Sequence, residues 1–128
     1  MRRYFMEVTF KNDTLFITDN NGINANFTLK DQDETDKTIQ ILTRFFEISN
    51  NAKLVITEED IAKKTIFCSS YCKVGEKSLM VTFFADQNCT LEITDKEDTK
   101  NTLNITFDEF CIILQTILKN KRRLKYEN

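Results

Sequence analysis

"NITFDEFCIILQTILKNKRRLK", residues 104–125, is the stretch on which the reading of the fold turns. Its beginning alternates. Leu103, Ile105 and Phe107 point one way and Asn104 and Thr106 the other, which is the period-two pattern of a half-buried strand. From Phe110 the period lengthens: Phe110, Ile113, Leu114, Ile117 and Leu118 keep helical spacing and are expected to face a sheet. Thr106, followed three residues later by Glu109, forms a capping box that starts this helix. Ile112 projects alone on the opposite side, as single exposed apolar residues commonly do. The helix runs out into Lys119, Lys121, Arg122, Arg123 and Lys125, the one dense basic cluster of the chain.

Upstream, the same alternation repeats. "SLMVTFFAD" sets Leu79, Val81, Phe83 and Ala85 on one side, with Leu91 and Ile93 of "CTLEITD". Met80, Thr82, Phe84, Thr90 and Glu92 occupy the other side. "KTIFCSSYCKV" reads as a strand that turns through Gly75-Glu76-Lys77, and "KLVITEEDI" as a short strand and turn. In the first half, "YFMEVTFK" alternates Tyr4, Met6, Val8 and Phe10 with Phe5, Glu7, Thr9 and Lys11. "TLFITD" and "INANFTLK" are joined by Asn20-Asn21-Gly22, a hairpin signal because Asn and Gly accept positive φ. "DQDETDKTIQILTRFFEIS" then reads as a helix whose stripe is Ile39, Leu42 and Phe46, widened by Ile41, Phe45 and Ile48. Its acidic entry, Asp31, Asp33, Glu34 and Asp36, suits the positive end of a helix dipole and is read as solvated charge.

The expected fold is therefore α+β, with antiparallel sheet of about six to eight strands and two main helices. The order suggests two strand-rich halves, each closed by a helix, and residues 1–128 are taken as a single domain.

Composition narrows the function classes. The chain has no His, no Pro, two Gly, 11 Phe and a net charge of −2. Without His the commonest general base and zinc ligand are missing. No phosphate-binding Gly loop, nucleophile elbow or zinc-binding helix motif occurs, so no enzyme activity, cofactor or metal is expected. No run is apolar enough for a membrane span, and "MRRYFMEVTFKND" lacks signal-peptide character. The chain is thus expected to be cytoplasmic, its four N-x-[ST] sequons to be chance, and Cys68, Cys72, Cys89 and Cys111 to be buried free thiols, with pairing across strands the alternative in an oxidising compartment.

The basic helix end admits two readings: ordinary complementarity to the dipole, or phosphate contact shared with Arg2 and Arg3. Aromatics on a strand face would supply the stacking that single strands require, and alternation nominates Phe5, Phe67, Tyr71 and Phe84, with Lys73 beside Tyr71. A second apolar core on that face is the competing use of the three Phe.

The layout resembles the single-stranded nucleic-acid binders of the Whirly, Pur-alpha and positive-cofactor-four type. The local likeness is "LNITFDEFCIILQTIL", where Ile105-Thr106-Phe107, a polar pair and Phe110 resemble the strand-to-helix junction of the positive-cofactor-four domain. Phe110 stands where that family commonly has Trp, and no Gly precedes the junction. The resemblance implies binding of single-stranded DNA or RNA, and a homodimer. The expected contacts are then Arg2, Arg3, Tyr71, Lys73, Phe84, Lys119, Lys121, Arg122, Arg123 and Lys125. A protein-binding module (an inhibitor, immunity protein or assembly subunit) is the alternative for an acidic, Gly-poor domain of this size.

Overall fold

The computed structural model describes residues 5–121. The fold is α+β, with seven strands in two antiparallel sheets. A meander of β1 (Glu7–Lys11), β2 (Thr14–Thr18) and β3 (Asn24–Thr28) comes first. The long helix α1 (Gln32–Ala52), a single 3-10 turn (Lys53–Val55) and the short helix α2 (Glu58–Lys63) follow. A second meander, β4 (Ile66–Val74), β5 (Lys77–Phe84), β6 (Asn88–Thr94) and β7 (Lys100–Thr106), leads straight into α3 (Phe107–Asn120).

Turn chemistry sets the registers. Lys11 pairs with Thr14, and the intervening Asn12 and Asp13 both have positive φ, at 51° and 62°, as a two-residue I′ hairpin requires. Val74 pairs with Lys77, so the β4–β5 turn is Gly75-Glu76, with φ of 64° at Gly75. The expected hairpin between β2 and β3 is present, but its Asn-Gly chemistry differs from expectation. Of Asn20, Asn21 and Gly22 only Gly22 takes positive φ, at 82°. Asp19 organises this loop instead. Its buried carboxylate accepts from the N–H groups of Asn21 and Ile23 through Oδ1, each at 2.9 Å. Oδ2 accepts from the N–H of Asn104 on β7, at 3.0 Å. One side chain thus closes the loop and ties the first sheet to the outer edge of the second.

A single core lies between the sheets and helices, built from Leu15, Ile17, Phe27, Leu79, Phe83, Leu91 and Leu103 among others. Phe45 of α1 meets Phe110 of α3 edge-on at 4.9 Å, and Phe107 stacks on Phe46 at 5.6 Å and meets Phe83 edge-on at 5.4 Å. The Lys53 ammonium lies 3.8 Å from the Phe107 ring centroid, a cation–π contact at the end of α1. The α3 capping box forms as expected, with Thr106 accepting from the N–H of Glu109 at 3.1 Å and Glu109 accepting from that of Thr106 at 2.9 Å.

The structure also corrects the sequence reading. The buried stripe of α1 is Thr35, Thr38, Leu42, Phe45 and Ser49, flanked by half-buried Ile39, Ile41 and Phe46, while Ile48 is exposed. Small residues at three of these positions let the helix approach β4 closely, which hydropathy does not register. Leu118 likewise lies on the exposed side of α3. "KLVITEEDI" holds no strand: it forms the 3-10 turn and α2, because Thr57 and Asp60 make a second capping box. The N–H and hydroxyl of Thr57 bond the Asp60 carboxyl and hold it below its ordinary 3.8.

Two substitutions test this architecture. Asp19→Ala orphans the N–H groups of Asn21, Ile23 and Asn104, and is expected to cost about 3 kcal/mol in urea unfolding. The buried Ser49 hydroxyl has no hydrogen-bond partner among the described residues. Ser49→Ala removes it and is expected to stabilise the fold by about 1 kcal/mol in the same assay.

Candidate nucleic-acid interface

The second sheet has one packed face and one open face. Leu79, Val81, Phe83, Leu91, Ile93, Leu103 and Ile105 fill the packed side, as alternation requires. On the open side the registers align rows across the strands. One row is Ser69, Thr82, Thr90 and Asn104; the next is Tyr71, Met80, Glu92 and Thr102; the next is Lys73, Ser78, Thr94 and Lys100. Ile66 and Phe84 pair beyond the first of these rows. Tyr71 is 60% exposed and Phe84 half-buried. The surface is thus hydroxyl-rich, with Tyr71 within β4 and Phe84 at the end of β5.

Of the residues nominated from sequence, Tyr71, Lys73 and Phe84 share this face. Lys73 has no ion partner among the described residues, whereas Lys100 stands 3.8 Å from the Glu92 carboxylate. Lys119 is exposed in the last turn of α3. Lys121 is 3.5 Å from the Asp36 carboxylate in the first turns of α1, so this part of the basic end neutralises the acidic entry of the other helix. Arg2, Arg3, Arg122, Arg123 and Lys125 lie outside the described residues. Phe5 is exposed ahead of β1. Phe67 is corrected: it sits at the irregularity in β4 between Ile66 and Cys68 and packs half-buried against the core.

A groove of about 440 Å³ adjoins the Phe84 end of the open face. Asn20 and Asn21 reach it from the β2–β3 loop, Asp86 from the β5–β6 connection, Asn88 from the start of β6, and Lys64 from the end of α2. Phe84, Thr90, Asn104 and Thr106 contribute from the sheet. Asn20 is positioned by donating to the Glu109 carboxylate, at 3.2 Å to Oε2, and Asp86 by accepting from the N–H and Nδ2 of Asn88, at 3.0 and 3.1 Å. Lys64 takes a left-handed φ of 51° that ends α2. Apart from Phe84, these side chains were not nominated from the sequence. They come together through the loop docking on β7, a contact between residues 85 positions apart that no local pattern announces.

The four cysteines are free thiols, Cys72 and Cys89 buried and Cys68 and Cys111 half-buried. Cys89 lies beneath the groove, and burial, with Cys111 and Asp86 nearby, pushes its pKa from 9.0 to about 12. Burial also raises Cys72 and Cys111. Among the described residues no helix is long and apolar enough to cross a membrane. Compared with protein-family models, curated proteins and solved structures, the chain finds no match.

Because the fold favours neutral Cys89, its contribution to stability is full below pH 9 and is lost as the pH rises towards about 12. At pH 8 the native thiolate fraction is on the order of a thousandfold below that of an unperturbed thiol. Iodoacetamide labelling read by peptide mass spectrometry is expected to leave Cys89 unmodified in the native state and to modify it in urea.

Proposed function

We propose that the open face of the four-stranded sheet binds single-stranded DNA or RNA. One observation carries the reading: Tyr71 and Phe84 stand on the open face of an antiparallel sheet, among hydroxyl side chains, and Lys73, which has no ion partner among the described residues, is next on that face of β4. Flat rings accept bases of any sequence by stacking, and lysines supply the salt-dependent hold on phosphates. Lys119 and the basic residues of both termini extend the phosphate contacts. The chain order is a three-stranded meander with α1, the 3-10 turn and α2, then a four-stranded meander with α3. In this reading residues 1–128 form one non-catalytic intracellular domain, acting as a homodimer, and the sheet face rather than the helix end is the principal surface.

A second reading has its own observation. Leu54 and Val55 of the 3-10 turn, Ile61 of α2 and Ile66 at the start of β4 are all exposed, Leu54 at 85%. Such residues near one connection suit a protein partner.

Fluorescence anisotropy with labelled 12-mer DNA and RNA at two salt concentrations separates the two. The nucleic-acid reading expects salt-sensitive binding, weakened about tenfold by Tyr71→Ala and with a shallower salt slope in Lys73→Glu. The double substitution Leu54→Ser/Ile61→Ser is expected to leave it unchanged. Absence of binding at low salt would contradict the reading and favour the protein partner.

A further inference from the structure

The groove beside Phe84 carries the reading further, from binding a strand to reading one of its bases. Its volume, about 440 Å³, falls in the range of small-ligand clefts. Its chemistry is specific. Phe84 offers the edge of the sheet face for stacking, and Asn21 and Asn104 bring amides that can donate and accept. Neither amide makes a side-chain hydrogen bond among the described residues; the backbone N–H of each donates to Asp19.

Two carboxylates, Asp86 and Glu109, line the same space. Glu109 is engaged by the N–H of Thr106 and by Asn20. Among the described residues Asp86 accepts from Asn88 alone, through one bond on each oxygen, which leaves about half of its lone-pair sites open. A phosphate is repelled by this pair, so the backbone of a bound strand belongs away from them, on the side of the groove that Lys64 lines from the end of α2. A base edge that carries N–H donors is attracted. Cytosine and adenine present an amino group where thymine presents a carbonyl oxygen, and an acceptor-only carboxylate distinguishes the two.

We infer that this groove receives one unstacked nucleobase bearing an exocyclic amino group, packed on Phe84 with Asp86 accepting from the amino N–H, and that it selects against thymine and uracil. The inference rests on the single-stranded nucleic-acid reading above. It adds selectivity at one position to a surface that otherwise holds any sequence.

The test compares two labelled strands, dT12 and the same strand with one central dC, by anisotropy against wild-type protein and Asp86→Asn. Wild type is expected to bind the dC strand about five- to tenfold more tightly. Asp86→Asn keeps an oxygen for the Asn88 N–H but introduces an amide donor, and is expected to abolish or invert the preference. Phe84→Leu, which keeps an apolar side chain, is expected to lose the preference while retaining the salt slope, and serves should Asp86→Asn fail to fold. Equal binding of both strands by wild type overturns the inference and leaves the parent reading standing. Failure to bind either strand at low salt overturns both.

Discussion

The Asp19 carboxylate is the constraint from which the functional geometry follows. It is fully buried, and the three backbone N–H groups that it accepts from belong to two separate parts of the chain. A buried carboxylate is tolerable only when hydrogen bonds replace its hydration. Here those bonds close the β2–β3 loop and clamp it against β7 in one arrangement. β7 is an edge strand of the second sheet, and an unpaired edge invites association with other chains. Asp19 satisfies one of its free N–H groups and brings Asn20 and Asn21 to the rim of the open face. Other ties complete the joint: Lys77 reaches the Asn26 carbonyl at 2.9 Å, and Glu34 accepts from the N–H of Gly75 at 2.7 Å.

With the halves joined in this way, five of the 11 phenylalanines gather against the inner face of the second sheet. Phe45, Phe46, Phe83, Phe107 and Phe110 meet there, and α1 lies close to β4 because Thr35, Thr38 and Ser49 occupy little space. The outer face consequently keeps Ser69, Thr82, Thr90, Asn104, Met80, Tyr71 and Phe84, with Tyr71 bordered by Gln40, Ile41 and Arg44 of α1. Its function, on this account, arises from which face the core left open. The acidic balance of the chain is compatible with this, because acidic residues concentrate at helix starts, where Asp31, Asp60 and Glu109 serve as caps or capping partners. The Lys121–Asp36 pair further shows that part of the basic helix end answers another helix's charge.

Local chemistry was legible in the sequence. The strands of the second sheet, the division of their side chains between faces and the Thr106–Glu109 cap all follow from patterns spanning a few residues. Alternation nominated Tyr71 and Phe84 for the face they share, and failed for Phe67, which the irregularity between Ile66 and Cys68 turns against the core. The α1 stripe was misjudged because buried Thr35, Thr38 and Ser49 are polar by composition and small by shape. "KLVITEEDI" was misjudged because its apolar residues imitate a strand, while Thr57 and Asp60 carried the helix signal. The groove was invisible, since Asn20 and Asn21 reach Glu109 and β7 only after the sheets have docked.

The central claim is that the outer face of the four-stranded sheet is where a nucleic-acid strand lies. Amide chemical-shift mapping of isotopically labelled protein during titration with an unlabelled single-stranded 12-mer addresses it most directly. The account predicts that the largest shifts cluster on residues of the open face, among them Tyr71, Lys73, Thr82, Phe84 and Asn104, and extend into the Asn20–Asn21 loop. Shifts confined to the Leu54–Ile61 connection or to the end of α3, or no shifts at all, would contradict it.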